Sequence, residues 1–350
     1  MRHSVGGMEL TDAQKLWDPE PGWLNTASYG LPPRPAFEAL QSVLADWRTG
    51  HTSWEPWDEA TGVSRATFAR LVGVDVDDVA VGSTVSQMLA TVAAALPAGT
   101  NVVLPEGEFA SNLFPWLSVP GVRARIVDTA ALADRIDAST DLVAFSLVRS
   151  DDGEVADYEA IVAAARAHGA LVVVDATQAC GWLPFDAGQA DAVVVGAYKW
   201  LMGPRGTGFL YLAPELRERL TPYAAGWYAG EDVHASYYGP PMRLATSARR
   251  FDISPAWFSW VGTAPALEVV EEIGVAAIGA HNVRLANRFL IGLGQPPGDS
   301  AIVTVDAPGA DVKLERAGVR AAVRAGRVRA SFHVYSTDDD VDLALNALTV

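Results

Sequence analysis

The chain has 350 residues, 50% of them hydrophobic and 19% charged, which excludes a disordered tail protein and leaves ample material for a core. Its 42 acidic against 26 basic residues give a formal net charge of −16, a surface that repels nucleic-acid phosphates and anionic membranes. A lone cysteine, Cys180, excludes a disulfide framework and a multi-cysteine metal site. The acidic start has no long apolar stretch and no window reaches membrane quality, so a soluble, cytoplasmic, metal-free globular protein is expected.

Taken in chain order, helices are expected over 36–48 and 58–71, the second with Asp58 as its N-cap. A short strand at 78–81, a helix at 86–96 and strands at 101–104 and 125–127 follow, with a proline-bounded loop at 114–120 between the last two. Next come a strand at 142–146, a helix at 158–168 stopped by Gly169, and the continuous apolar runs 170–174, 192–195 and 208–212. Such runs read as strands buried on both faces, and their alternation with helices predicts a doubly wound, mostly parallel α/β sheet. Beyond about 245 the rhythm becomes helix 263–273, strand 301–305, helix 316–325, strand 328–333 and helix 338–348, a smaller α+β domain. The expected organisation is a large domain over 30–245 and a small one built from 1–29 and 246–350. Two irregular stretches, 19–35 and the aromatic, Gly- and Pro-broken 227–260, are long enough to be functional or interfacial.

The densest chemical signal is Val172-Val173-Val174-Asp175, an apolar strand ending in a carboxylate. A second apolar strand runs into Tyr198-Lys199 and the glycine-rich segment 203–208. In an open parallel sheet, ligands bind at the carboxyl ends of the strands. A lysine just past a buried strand is desolvated, which lowers its pKa and favours the nucleophilic amine. A buried carboxylate can keep a pyridine nitrogen protonated. An amine and an acid so placed are the two requirements of a pyridoxal 5'-phosphate (PLP) site. On spacing alone, the pair is equally a salt bridge at a strand end. The segment 203–208 is no dinucleotide fingerprint, since it lacks the G-x-G-x-x-G spacing and leads into a strand.

From about Asn25 to the C-terminus these segments resemble class V of the fold-type I PLP enzymes. That group contains cysteine desulfurases, isopenicillin N epimerase-like proteins and kynureninases. The resemblance is most specific from Asp175 through Lys199 to Gly208. It implies the fold-type I architecture, a homodimer with active sites near the interface, and an amino-acid substrate. It makes Lys199 the lysine bonded to the cofactor, Asp175 the partner of the pyridine nitrogen and Gln178 the partner of the phenolic oxygen. Ser83 and Thr84, at the mouth of the helix 86–96, would hold the phosphate; unaided, they read as an ordinary helix cap. Phe109, in Glu108-Phe109-Ala110-Ser111-Asn112, would stack on the ring, where a lone Phe otherwise reads as core. Arg329, in Val328-Arg329-Ala330-Ser331, would grip the substrate α-carboxylate with its planar fork; without the resemblance it reads as a surface arginine. Asn25, Ser28 and Tyr29 fall in a segment that folds over the substrate in relatives. Two departures stand out. Gly196 and Tyr198 occupy positions where many relatives carry Ser or Thr and His, which moves phosphate contacts toward Tyr198. The Gly-Thr pair that reaches the phosphate across the dimer interface is missing after Arg250-Phe251-Asp252, with Ser254 as its nearest substitute.

No cysteine occurs after Gly203, where a desulfurase needs a nucleophilic thiol, and Cys180 reads as a small packed thiol. Elimination, transamination, epimerisation and kynureninase-type hydrolysis remain. The runs 108–116, 196–201 and 251–260 look most like the ergothioneine-biosynthesis C–S lyases. That resemblance implies β-elimination from a cysteine-conjugate sulfoxide such as hercynylcysteine sulfoxide. Trp227, Tyr228, Tyr237, Tyr238, Trp257, Phe258 and Trp260 could then form a cation–π wall for a trimethylammonium group, with Glu231 and Asp232 adding charge. The competing reading of these aromatics is dimer interface and core. The expected activity is thus a PLP-dependent C–S lyase, with a class V aminotransferase or isopenicillin N epimerase-like enzyme as the alternative.

Overall fold

Short Val-, Leu- and Phe-rich runs bounded by glycine, proline or polar residues build the central sheet in the computed structural model, which describes residues 7–306, 308–324 and 326–349. The elements begin with α1 (Leu10–Ala13), α2 (Arg34–Thr49), α3 (Trp54–Val72), β1 (Val79–Gly82) and α4 (Val85–Ala93). They continue with β2 (Asn101–Pro105), α5 (Ala110–Leu117), β3 (Arg123–Val127), β4 (Leu142–Ser146), α6 (Tyr158–His168) and β5 (Leu171–Asp175). Then come β6 (Ala192–Gly196), β7 (Gly208–Leu212), α7 (Pro214–Arg217), α8 (Trp257–Ile273) and α9 (Val275–Gly292). The chain closes with β8 (Ile302–Val305), α10 (Ala310–Arg316), β9 (Ala322–Arg324), β10 (Arg327–Ser331) and α11 (Asp338–Thr349).

Seven strands form one sheet in the order β1-β7-β6-β5-β4-β2-β3. All run the same way except β7, which is antiparallel to β1 and β6. Both faces are covered, so alternate residues of one strand enter different cores. Val172 and Val174 pack on one side with Phe68 of α3, and Val173 packs on the other with Leu89 and Val92 of α4. This is why the strands read as unbroken apolar runs. Each fully buried valine contributes about 1.5–3 kcal/mol. The buried Arg65–Asp252 pair, 2.6 Å apart, fastens α3 to the chain ahead of α8, and Asp252 also accepts a hydrogen bond from the Val81 amide at 2.7 Å.

The small domain is the antiparallel sheet β8-β10-β9 packed against α9, α10 and α11 around Phe289, Leu314, Phe332 and Val341. The N-terminal segment joins it. Trp23 bridges to Arg320, and Asn25 to Ser331 at the end of β10.

Some local expectations are overturned. The segment read as a loop at 114–120 belongs largely to α5; Pro115 lies near the end of that helix, and the fully buried Asn112 and Trp116 hold it against the sheet. Asp58 is not an N-cap. Helix α3 starts four residues earlier, at Trp54, and Asp58 instead accepts hydrogen bonds from Tyr228 Oη at 2.5 Å and Trp257 Nε1 at 3.4 Å. The Ala- and Arg-rich stretch expected as a helix over 316–325 leaves α10 and becomes β9, because pairing with β10 outweighs helix propensity; Ala325 lies outside the described residues. Helix α9 has no counterpart among the expected elements, its apolar periodicity being interrupted by Gly279. No described helix is long and apolar enough to cross a membrane.

Candidate active site

The carboxyl ends of β1, β2, β4, β5 and β6 open on one edge of the sheet and deliver Ser83, Phe109, Ser146, Asp175 and Lys199 to a single cavity of about 160 Å³. Ser146 and Asp175 are register partners on β4 and β5. Its polar lining also includes Thr84, Gln178, Tyr198 and Arg205.

The Lys199 loop is held from several sides. Within it, Met202 N donates to the Lys199 carbonyl at 3.1 Å and Gly203 N to the Ala197 carbonyl at 2.9 Å. Met202 adopts φ 56°, the left-handed region that non-glycine residues enter only when their surroundings demand it. Gly30 N donates to the Tyr198 carbonyl at 3.0 Å, and a Cβ at Gly30 would overlap the Lys199 carbonyl, so only glycine lets the N-terminal segment approach this closely. From the small domain, His333 Nε2 lies 3.0 Å from the Trp200 carbonyl while Val334 N donates to His333 Nδ1 at 2.7 Å. The proton is therefore assigned to Nε2, which donates to Trp200. His333 is fully buried, and burial pulls its pKa from the ordinary 6.5 to about 4. The unfolded chain thus binds more protons between those values, and stability is lost as pH falls from 6.5 toward 4, by up to roughly 3 kcal/mol. Urea unfolding at pH 7 and pH 4.5 should show this loss, and His333→Gln should show a smaller one; an equal loss in both would remove His333 as its source.

Lys199 is a buried residue lining the cavity, and its Nζ makes no hydrogen bond or ion pair among the described residues. Burial lowers its pKa to about 8, with Arg329, Arg324 and Arg205 adding to the effect and Asp175 opposing it. Its ammonium lies 5.6 Å from the Phe109 ring centroid. Asp175 is buried and accepts from Thr177 N at 2.9 Å. Desolvation raises it above the usual carboxylate range, and a cation set against it would restore the carboxylate. Gln178 is heavily engaged. Its Oε1 accepts from Trp200 Nε1 at 2.8 Å and its Nε2 donates to the Ala27 carbonyl at 3.0 Å, which leaves one amide proton for a ligand. Glu108, quoted in the sequence only as part of a motif, has a structural task. It accepts from Ser146 N at 2.7 Å, Ser146 Oγ at 2.6 Å and Phe109 N at 2.7 Å, tying the Phe109 turn to the end of β4. Nothing in the sequence signals that a glutamate beside a glycine turn faces inward.

Arg329 is no surface arginine: it is 1% exposed and lies outside the cavity lining itself, which it touches through the lining residue Ser150. Its guanidinium donates to Ser28 Oγ at 2.9 Å and to the Ser150 carbonyl, its Nε has no partner, and no carboxylate pairs with it among the described residues. Burial pulls its pKa down to about 10. Of the N-terminal trio, Ser28 thus meets Arg329, while Tyr29, outside the cavity lining, accepts from Arg205 through its Oη at 2.9 Å. Asn25 stands apart. It borders a separate cleft with Trp23, Leu314 and Arg320, its Oδ1 is buried without a partner, and its carbonyl accepts the Ser28 and Tyr29 amides. Ser254 is exposed and outside the cavity lining. None of Trp227, Tyr228, Tyr237, Tyr238, Trp257, Phe258 or Trp260 lines the cavity. Trp260 is core, and Trp227 and Trp257 cluster with Trp54, with Trp257 Nε1 donating to Asp58. Cys180 is buried and absent from the lining, its thiol pushed up to about 12.

These residues fit PLP. The buried amine of Lys199 and the buried carboxyl of Asp175 flank one cavity with Phe109 beside them. At its other end α4 begins: the Val85 and Ser86 amides have no hydrogen-bond partner among the described residues, and Thr84 Oγ accepts from Gln87 N at 3.3 Å. That is an anion seat of the kind a phosphate takes.

Comparison with known proteins agrees. The aminotransferase class-V family model matches residues 40–312. Isopenicillin N epimerase of Streptomyces clavuligerus is 30% identical over 99% of this chain and 99% of its own length. An uncharacterized aminotransferase of Bacillus subtilis is 29% identical over 90% of both. The cysteine desulfurase structure from Escherichia coli superposes with a TM-score of 0.83 at 21% identity, covering 98% of each chain. The chain therefore belongs to the aminotransferase class-V family of fold-type I enzymes, with PLP as its cofactor.

Proposed function

We propose that this enzyme moves a proton at the α-carbon of an amino acid, with amino transfer or epimerisation as the outcome. The observation that carries the reading is Arg329. A buried guanidinium without a carboxylate partner is costly to hold, and it suits a site that receives a substrate carboxylate. The nearly full-length likeness to an epimerase and to an aminotransferase supports the choice of reaction.

PLP, when bound, supplies an aldehyde that combines with amines and a ring that accepts the electron pair left at the α-carbon. The chain does the rest. Lys199, whose amine is made easier to deprotonate by desolvation, takes and returns the α-proton. Asp175 keeps a proton on the ring nitrogen. The remaining amide proton of Gln178 serves the phenolic oxygen. Phe109, set by Glu108, covers one ring face. Ser83 and Thr84, with the first amides of α4, seat the phosphate beside Tyr198. Ser28 orients Arg329, and Tyr29 holds Arg205 at the cavity lining. Composition and resemblance further suggest a cytoplasmic homodimer.

The narrower reading, a C–S lyase acting on hercynylcysteine sulfoxide in ergothioneine biosynthesis, uses the same Lys199 chemistry. A cavity without a thiol favours it over desulfuration, since a sulfenate leaves without an enzyme sulfur. It ranks second because its trimethylammonium wall is missing from the cavity lining.

The test is a screen of amino acids in deuterated water with wild type and Cys180→Ala. Both proteins should exchange the α-proton at rates within a few-fold of each other and give the opposite enantiomer or the 2-oxo acid. Pyruvate from a cysteine-conjugate sulfoxide, without exchange into any other amino acid, would move the assignment to the lyase. A persulfide on Cys180 with activity lost in the folded variant would restore the desulfurase.

A further inference from the structure

The cavity lining holds one carboxylate, Asp175, and two cations, Lys199 and Arg205. Lys199 is committed to the aldehyde end of the cofactor. The phosphate end carries close to two negative charges at neutral pH, and the amides at the start of α4 offer only partial charge against them. Arg205 is thus the remaining full positive charge of the described lining.

Its setting is built from two contacts, neither of them a carboxylate. The Tyr198 ring lies against Gly196, where a Cβ would come within 3.2 Å of Tyr198 Cε1, so a side chain at 196 would push on the ring. The Arg205 guanidinium lies over the same ring, 4.8 Å from its centroid. One of its N–H groups is used by Tyr29 Oη at 2.9 Å. A guanidinium has five donors, so most of the fork is left for a ligand. Tyr198, Ser83, Thr84, Val85 and Ser86 line the cavity that Arg205 also lines. Arg205 is otherwise exposed; held by these two contacts, it shares the cavity with unpartnered helix amides, and the unpartnered amine of Lys199 marks that cavity as one that receives a ligand.

We infer that Arg205, stacked on the Tyr198 ring and oriented by Tyr29, is the charge partner of the cofactor phosphate. Gly196 makes room for the ring, the ring carries the guanidinium, and the guanidinium supplies the phosphate with a full charge from within one chain. The inference rests on the PLP site described above and on no assumption about the substrate.

The test compares PLP with pyridoxal, which has the same ring and aldehyde without the phosphate. Apo-protein is titrated with each by absorbance, in wild type, Arg205→Ala, Arg205→Gln and Arg205→Lys, without substrate. A charge-assisted contact of this kind predicts that Arg205→Ala weakens PLP roughly ten- to a hundredfold. Pyridoxal affinity should stay within about twofold, and Arg205→Lys should recover part of the loss. Inorganic phosphate should compete with PLP in wild type and much less in Arg205→Ala. Should Arg205→Ala not fold, Arg205→Gln is read by the same PLP-to-pyridoxal ratio. An unchanged ratio overturns the inference, as does an equal loss for both compounds, which would make Arg205 a support of the pocket walls. A raised KM for the amino acid with unchanged PLP affinity also overturns it and assigns Arg205 to the substrate. Because the deciding ratio of PLP to pyridoxal affinity is read without substrate, failure here is separate from failure of the proposed reaction.

Discussion

Lys199→Ala is expected to lower turnover by about three orders of magnitude or more and to abolish the near-visible absorbance of the cofactor-loaded protein. Both effects would have one origin, since in the proposed site the same nitrogen anchors the cofactor and moves the α-proton. The chain has only three lysines. Lys15 is exposed and paired with Asp12 at 2.7 Å, and Lys313 is exposed, so Lys199 alone is buried in the cavity. Borohydride reduction followed by peptide mapping should place the label there, and a label on Lys15 or Lys313 would remove the assignment. The pH dependence gives an independent check. Burial disfavours the ammonium and brings Lys199 to about 8, so the neutral amine should be about a tenth of the total at pH 7 and about nine-tenths at pH 9. The rate at which apo-protein is trapped by pyridoxal and borohydride should therefore rise roughly tenfold over that range and then level off. A profile still climbing past pH 10 would point to an amine with the ordinary value of 10.5.

Arg329→Met should raise KM for the amino-acid substrate about ten- to a hundredfold while leaving cofactor absorbance intact. The same change should not destabilise the folded protein. Arg329 is buried with an orphaned Nε and no carboxylate partner among the described residues, so the free enzyme carries an uncompensated desolvation cost. Methionine fills similar space without it. The lost bonds to Ser28 Oγ and the Ser150 carbonyl offset part of the gain, so Tm should stay within about 2 °C of wild type or rise. A clear fall in Tm with unchanged KM would make Arg329 a structural residue and leave the substrate carboxylate without its partner. The paired outcome, weaker substrate binding without loss of stability, is the signature of a group kept for function.

How much of this was legible beforehand follows from the range of each interaction. The central strands were readable because burial on both faces makes a local pattern, an unbroken run of four or five apolar residues. Asp175 and Lys199 were readable because one ends such a run and the other stands three residues beyond one, so the sheet's parallel topology places them on one edge. The family, and with it PLP, rested on those same segments. Side chains whose role depends on distant partners were not readable in this way. Arg329 reads as a surface arginine until Ser28, 301 residues away, is seen to hold it in the interior. Glu108 acquires its task only when β4 brings Ser146 beside it, and Asn25 loses its expected one because the bridge to Ser331 turns it toward another cleft. The aromatic stretch 227–260 had the composition of a cation-binding wall, but contact with α3 draws Tyr228 and Trp257 to Asp58 instead. Composition specifies what a side chain can bind. Which partner it meets is decided by the packing of segments far apart in the chain.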